Sequence, residues 1–444
     1  MKVIKWSAIA LAVTAASTQL ASAAAFVSDQ ADAKGFVEDA TLNMLLRNYY
    51  FNRYLPGSPP HTASDWTQGI QGVFTSGFTQ GTIGVGVDAF GYLGLKLDGS
   101  KGTTGTNNLT TGADGPNDSY GKAGAAVKFR VSKTELKIGD QQPTTSPVFA
   151  VGGSRLTPQT ATGITLQSSE VKNLDVEAGH FTSATSESTT NRDGNLWANY
   201  AEVSSRSIDY AGGKYAFSDS LTASLYGAKL DNIWNQYYTN LNYVLPLADT
   251  QSLTFDFNYY KTVDSGSANA GKIDNNTFSL SAAYAFLSAH TITLAFQKVN
   301  GDTPFDYIGV GDNNRGGDSI FLANSIQYSD FNGPGEKSAQ VRYDLNMATF
   351  GVPGLSFMAR YAKGWDIDYS SVSPDSAYYN SDRAGESDAK HHETNVEAKY
   401  VIQEGPAKDL SFRIRQAWHR SSSLQADGNA DEFRLIVDYP LSIL

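Results

Sequence analysis

A chain of 444 residues with a net charge of −11 lacks the basic footprint of a nucleic-acid binder. With no cysteine it folds without disulfides, and its 24 tyrosines, 22 phenylalanines and 41 glycines suit an all-β composition. Beyond its first residues, nothing approaches the ~18 consecutive apolar residues of a spanning helix, which excludes a helical membrane architecture.

Lys2 and Lys5 open a short apolar run, "WSAIALAVTAA", followed by "ASAAA" with Ala21 and Ala23 in an A-x-A cleavage pattern. This reads as a signal peptide over residues 1–23, so the chain is exported and its mature part is 24–444. No linker-like break divides that part.

Period-two alternation predicts strands from end to end. The first begins near Ala40, and "LNMLLRNYYFNR" puts Arg47 and Arg53 on one face with Tyr49 and Phe51. "AAVKFRVS" sets Val127, Phe129 and Val131 against Lys128 and Arg130. "SLTFDFNYY", "TFSLSAAYAF" and "TITLAFQ" alternate the same way, with Phe255, Leu280 and Leu294 opposite Asp256, Ser279 and Thr293. In "SAQVRYDLNM", Val341 and Tyr343 oppose Arg342 and Asp344. In "LSFMARYAKG", Phe357 and Tyr361 oppose Arg360, and "TNVEAKYVI" sets Val396 against Glu397. "FRIRQAWHR" places Phe412, Ile414 and Trp418 opposite Arg413, Arg415 and His419, and the last strand opposes Phe433 and Leu435 to Arg434.

Alternation also occurs in β-sandwiches, so three further features decide. Tight turns (Ser132–Lys133, Ser218–Asp219, Leu287–Ala289) alternate with long polar stretches such as residues 98–121 and 366–390. Strands of ~10–12 residues suit a tilted bilayer crossing. Aromatic residues in "LLRNYYFNRY", "NIWNQYYTN" and "QAWHR" lie where interface girdles are expected. About eighteen strands fit, at ~23 residues per strand and connection, an even number that returns both termini to one side. The expected fold is therefore all-β, an 18-stranded antiparallel transmembrane β-barrel, because only a closed sheet satisfies its backbone within lipid.

The apolar faces then meet lipid and the arginines meet the lumen, since an Arg facing mid-membrane lipid would cost ~2–4 kcal/mol. Tracks of arginine are how anion pores select, and guanidinium matches a carboxylate in paired hydrogen bonds. The plainer reading is that a polar lumen carries charges to stay wet, its arginines cancelling acids such as Asp344 and Asp256.

The chain resembles the OprD-type outer-membrane porins, substrate-specific channels of Gram-negative bacteria. The resemblance runs from "AFVSDQADAKGFVEDATLNMLLRNYYFNR" through "DWTQGIQGVFTSGFTQGTIGVGVDAFGYLGLKLD", "TELKIGDQQPTTSPVF", "SRLTPQTATGITLQSSE" and "LDVEAGHFT" to "FRLIVDYPLSIL". It implies an inward-folded constriction loop, here about Gln142 to Gly163, with Arg155, Leu156, Pro158 and Gln159 in it. It also implies a ladder of lumen basic residues for carboxylate solutes, with Arg47, Arg130, Arg342, Arg360, Arg413 and Arg415 as its rungs. Electronegative groups are expected opposite the ladder, at positions the resemblance does not assign. The final Leu444 replaces the terminal Phe common to such barrels. The implied setting is the outer membrane of a Gram-negative bacterium, with small carboxylate solutes and membrane lipid as partners, as a monomer or weak homo-oligomer.

Enzymatic readings find little support. His391 and His392 are adjacent and point to opposite faces of a strand, so they cannot hold one metal. No G-x-S-x-G elbow precedes a helix, and "GVGVDAFG" lacks the third glycine of a dinucleotide fingerprint. "DGPND" and "DNNRGGDS" read as polar turns rather than calcium loops. No cofactor is expected. A plugged transporter lacks room for a plug before the first strand, and a non-conducting structural or enzymatic barrel remains the alternative to a porin.

Overall fold

The computed structural model describes residues 25–57, 62–313 and 315–444. The signal segment expected over 1–23 lies outside the described residues. Eighteen antiparallel strands form one sheet. They are β1 (Thr41–Tyr54), β2 (Thr62–Thr75), β3 (Gly84–Asp98), β4 (Ser119–Val131), β5 (Thr134–Gln141) and β6 (Thr160–Ser168). Next come β7 (Leu174–Thr185), β8 (Ile208–Ala216), β9 (Leu221–Leu230), β10 (Trp234–Ala248), β11 (Gln251–Asp264) and β12 (Asp274–Phe286). The last six are β13 (His290–Asn300), β14 (Lys337–Asn346), β15 (Leu355–Ile367), β16 (Ala389–Val401), β17 (Ser411–Ser421) and β18 (Ala430–Ser442). Each pairs with its sequence neighbour, and β1 pairs with β18 from Asn43↔Ser442 to Tyr54↔Asp431, which closes the barrel and leaves no edge.

The faces follow the alternation. Leu294 is 58% exposed on the outer surface, whereas Arg342, paired with the neighbouring Thr293, is 3% exposed inside. Turns 132–133, 217–220 and 287–289 are tight and share one rim with the chain termini. Ser132, Leu287 and Ser288 take positive φ there, as short hairpin turns demand. The opposite rim carries the long segments 99–118, 142–159, 186–207, 301–336 and 368–388.

Three expectations need correction. Strands range from 8 to 15 residues, a wider spread than the bilayer argument suggests. Tyr49, Phe51, Trp234 and Tyr238, assigned by sequence to girdles, are fully buried inside the barrel. Trp418 and Tyr237 do lie outside, at 39% and 51% exposure. Finally, more than one long loop turns inward.

The inward aromatics have a partner because the lumen holds a hydrophobic core of its own. Val148, Phe149 and Val151 of loop 142–159 pack with Leu196 and Ala198 of loop 186–207 and with Phe305, Ile308 and Val310 of loop 301–336. Barrel residues Phe181 and Tyr210 close on Phe149 at ring distances of 4.8 and 6.0 Å. Short strands 196–198, 203–205, 308–310 and 315–316 join two of these loops into a small second sheet. Burial of such apolar clusters fixes segments whose backbone would otherwise wander.

Candidate functional site

Strand register arranges the inward side chains in rows. Arg342 lies opposite Arg360, Arg360 opposite Asn395, and the same row continues through Ala417 and Glu432 to Arg53. The next row toward the rim with the termini runs Glu397, Arg415, Arg434, Phe51. Below it come Lys399, Arg413, Ile436 and Tyr49, and then Asp438 opposite Arg47. Arginines from β14 to β18 and β1 thus descend one wall of the lumen, two residues per step.

Each guanidinium is held, but not each charge is cancelled. Arg342 makes a bidentate pair with Asp344 at 2.7 and 2.7 Å, and Arg47 with Asp438 at 2.8 and 3.0 Å. Arg413 and Arg415 share one carboxylate, Glu397, at 2.8 and 3.1 Å. Arg53 and Arg434 share Glu432 at 2.5 and 2.6 Å. Arg360 donates to the Asn395 amide at 2.9 Å. Asp256, across the barrel, is bound by the amides of Asn240, Asn242 and Asn258 rather than by arginine. The wall therefore keeps more guanidinium than carboxylate: cancelling accounts for the pairs at Asp344 and Asp438, while Glu397 and Glu432 each serve two arginines and Arg360 bonds an amide.

Arg130 stands apart. Its guanidinium donates to Gln30 and Ser28 at 3.0 and 2.6 Å and lies 4.0 Å from the Phe78 ring, clamping the N-terminal segment near the short-turn rim. The structure does not bring it to the other arginines.

The inward loop spans residues 142–159, four residues shorter than expected because Thr160 already pairs with β7. Leu156 is fully buried with Tyr49, Phe51, Leu109, Tyr120 and Ile436. Its backbone donates to Asn108 Oδ1 at 3.0 Å and accepts from Gln71 at 2.8 Å. A side chain at Gly69 would meet Leu156 at 3.0 Å, so glycine makes room for the loop. Gln159 closes the loop on itself: Gly152 N–H donates to its Oε1 at 2.7 Å, and its own Nε2 donates to Glu187 at 3.0 Å. Pro158 is half-buried beside Gly153. Arg47 donates to the Gly153 and Arg155 carbonyls at 3.1 and 2.7 Å, tying the loop tip to the wall. Arg155 then reaches the wall itself. Its guanidinium and those of Arg53 and Arg434 lie 5.3, 5.2 and 5.2 Å from one ring, Phe51.

Loop 301–336 brings carboxylates of its own into the barrel mouth. Asp318 touches lumen water beside Gly152; the enclosing protein, and then Glu187 and Asp330, push its pKa up to about 6. Asp330 accepts from Tyr200 and Tyr307 hydroxyls at 2.7 and 3.1 Å and from Ser325 at 2.5 Å, and burial raises its pKa. Asp306 is likewise raised by burial, to about 6, although the Tyr200, Ala201 and Tyr307 amides donate to it. Sequence reasoning missed these acids because no periodicity marks a loop that folds into a pore. Arg53 and Arg434 were legible, since the same alternation points them inward.

A family profile described as outer membrane porin, OprD family, matches residues 34–443. The chain belongs to the OprD family of outer-membrane porins. It is 64% identical over 448 aligned residues, covering all of both chains, to Porin D of Pseudomonas aeruginosa. It is 35% identical to the porin-like protein GalP of Pseudomonas putida, over 94% of this chain and 95% of that one. The crystal structure of Pseudomonas aeruginosa OprD superposes with a TM-score of 0.83 at 60% identity, covering 95% of this chain and 100% of that chain. Pseudomonas aeruginosa OpdK, crystallised with vanillate, gives 0.80 at 33% identity over 92% of this chain and 100% of its own. The OprD-family barrel is a channel of the Gram-negative outer membrane, with its short turns on the periplasmic side.

Proposed function

We propose that this porin admits small carboxylate-bearing solutes by passive, selective diffusion. The observation that carries the reading is the staircase of incompletely neutralised guanidiniums, two residues per step. A solute arrives past the long loops, and its carboxylate meets Arg342 and Arg360. At the Arg155–Phe51 narrowing it sheds part of its water, then passes to Arg415, Arg413 and Arg47. Every rung already holds a protein carboxylate, carbonyl or amide, so each attracts without trapping, as conduction requires. Asp318, exposed on the inward loops beside Gly152, suits a cationic group on the same solute, so amino acids and peptides can use both charges, while aromatic and other organic acids use the arginines alone. That OpdK was crystallised with vanillate, itself a carboxylate, is consistent with this chemistry.

The test is a planar-bilayer recording of the purified protein under a salt gradient, with amino acids, dipeptides and aromatic acids added in turn. Discrete conductance, reduced by carboxylates but not by their amides or esters, is expected. Equal block by both would remove the ladder from the mechanism, and a silent barrel would reinstate the structural or enzymatic alternative. We also propose residues 1–23 as a signal peptide; amino-terminal sequencing of outer-membrane material should begin at Ala24.

A further inference from the structure

His391 and His392 do point apart, but His391 finds another histidine on the next strand. Residue 391 of β16 pairs with Ser421 of β17, which brings the His391 Nδ1 within 2.7 Å of His419 Nε2. Both rings are buried, at 2% and 0% exposure. The other nitrogen of each ring faces an acceptor. His391 Nε2 lies 2.7 Å from Glu336 Oε1, and His419 Nδ1 lies 2.5 Å from the Gly428 carbonyl. A carbonyl only accepts, as does Glu336 when ionised, and each outer nitrogen then carries the ring's hydrogen. In neutral rings the two inner nitrogens are then both lone pairs, aimed at each other with nothing positive between them. A cation between them, whether a proton or a metal ion, relieves that opposition.

The surroundings supply the rest of a metal site. Asp427 Oδ2 lies 3.7 Å from His391 Nδ1, and the three ligand atoms all fall within 4.8 Å of one another. Ser329 and Gln425 donate to Asp427 at 2.6 and 3.2 Å and fix its carboxylate. Glu336 on His391 and the Gly428 carbonyl on His419 are the outer partners that orient metal-binding imidazoles. The Phe331 and Tyr328 rings wall the pair at 4.2 and 5.1 Å. A side chain on Gly364 would strike Glu336 and His391 at 2.0 and 2.5 Å, so the backbone makes room for this pair too.

We propose that His391, His419 and Asp427 bind a first-row divalent transition ion of the zinc class at the long-loop mouth of the pore. Two imidazoles and one carboxylate suit such an ion better than calcium or magnesium, which favour oxygen ligands. Tetrahedral bonds of roughly 2.0–2.1 Å need the two inner nitrogens to part by about 0.6 Å, and three ligands leave a position for water. The ion ties β16 and β17 to loop 422–429, and through Glu336 and Ser329 to loop 301–336. Occupancy therefore stiffens the loop that carries Asp318 and Asp330.

Tag-free, chelator-treated porin in detergent tests this with Zn2+ and Co2+ as probes. The unmodified chain should take up one ion, with a four-coordinate Co2+ spectrum, while Ca2+ and Mg2+ do not compete. His391→Gln and His419→Gln should each lose affinity by more than tenfold, and Glu336→Gln by about 10–100-fold as an outer partner. Heat-resistant mobility in detergent gels reports that each variant is folded. Zn2+ added on the long-loop side should change the open-channel current of the unmodified porin and not of His419→Gln. Failure of the unmodified chain to take up either ion overturns the proposal, as does unchanged uptake in folded His391→Gln/His419→Gln. Uptake of a proton alone by the histidine pair, seen by 15N NMR without any response to Zn2+, also overturns it.

Discussion

At Phe51, three guanidiniums from a loop and two strands share the surroundings of a single ring, with one carboxylate, Glu432, between two of them. On the proposed route, a position of this kind sets how much positive charge a passing solute meets. Arg413 and Arg415 are placed similarly around Glu397. A hydrogen bond to a charged group contributes ~1.5–3 kcal/mol, so Arg415→Gln should weaken carboxylate block by about tenfold or more. Arg413→Gln should do the same while the barrel keeps its heat-resistant gel mobility; unaltered block in both would count against the ladder. Alternation in "FRIRQAWHR" was enough to aim these arginines inward. It could not show that Glu397 would be shared, or that Arg130 would serve the N-terminal segment, because those outcomes depend on which strand end and which loop arrive beside them.

At the level of elements, loop 142–159 is held by one apolar anchor and a few directed bonds. Burying Leu156 places it in a small cluster inside the barrel, and Leu→Ala in such sites costs ~2–5 kcal/mol. That loss falls on loop docking rather than on the strands, whose backbone bonds are untouched. Leu156→Ala should therefore raise single-channel conductance and reduce discrimination between solutes, with an unchanged unfolding transition for the barrel. Arg47→Ala, which removes the bonds to the Gly153 and Arg155 carbonyls, should act in the same direction. Identical conductance in both variants would show that this loop does not set the narrowing. The "SRLTPQT" stretch made the loop recognisable as a family feature. Loop 301–336 has no comparable local signature, and its inward course rests on Phe305, Ile308 and Val310 meeting residues more than a hundred positions earlier.

For the whole molecule, the loop carboxyls and the wall arginines respond differently to pH. Asp318 and Asp306 have pKa values near 6 when folded, above their ordinary 3.8. Such a carboxyl binds its proton more tightly in the folded state. Its contribution to stability is fully present below about 3.8 and lost as pH rises through about 6. Mild acid thus favours the docked loop and neutralises these loop carboxyls, while the arginines keep their charge. Anion preference, read from reversal potentials, should rise as pH falls from 7.5 to 5. Asp318→Asn should show part of that rise already at pH 7.5, and a flat profile in the unmodified porin would exclude the loop carboxyls from selectivity.

The sequence by itself determined the barrel, the sidedness of its cleanly alternating strands and the inward aim of the arginines. A bilayer imposes a period-two code on every residue that crosses it, and a charged side chain on the wrong face is too costly to be tolerated. Only the tertiary structure decided which arginines stand together, which acids face them and which histidines meet. Those depend on register between strands distant in sequence and on loops whose course inside the pore is set by mutual packing, neither of which leaves a local period to read.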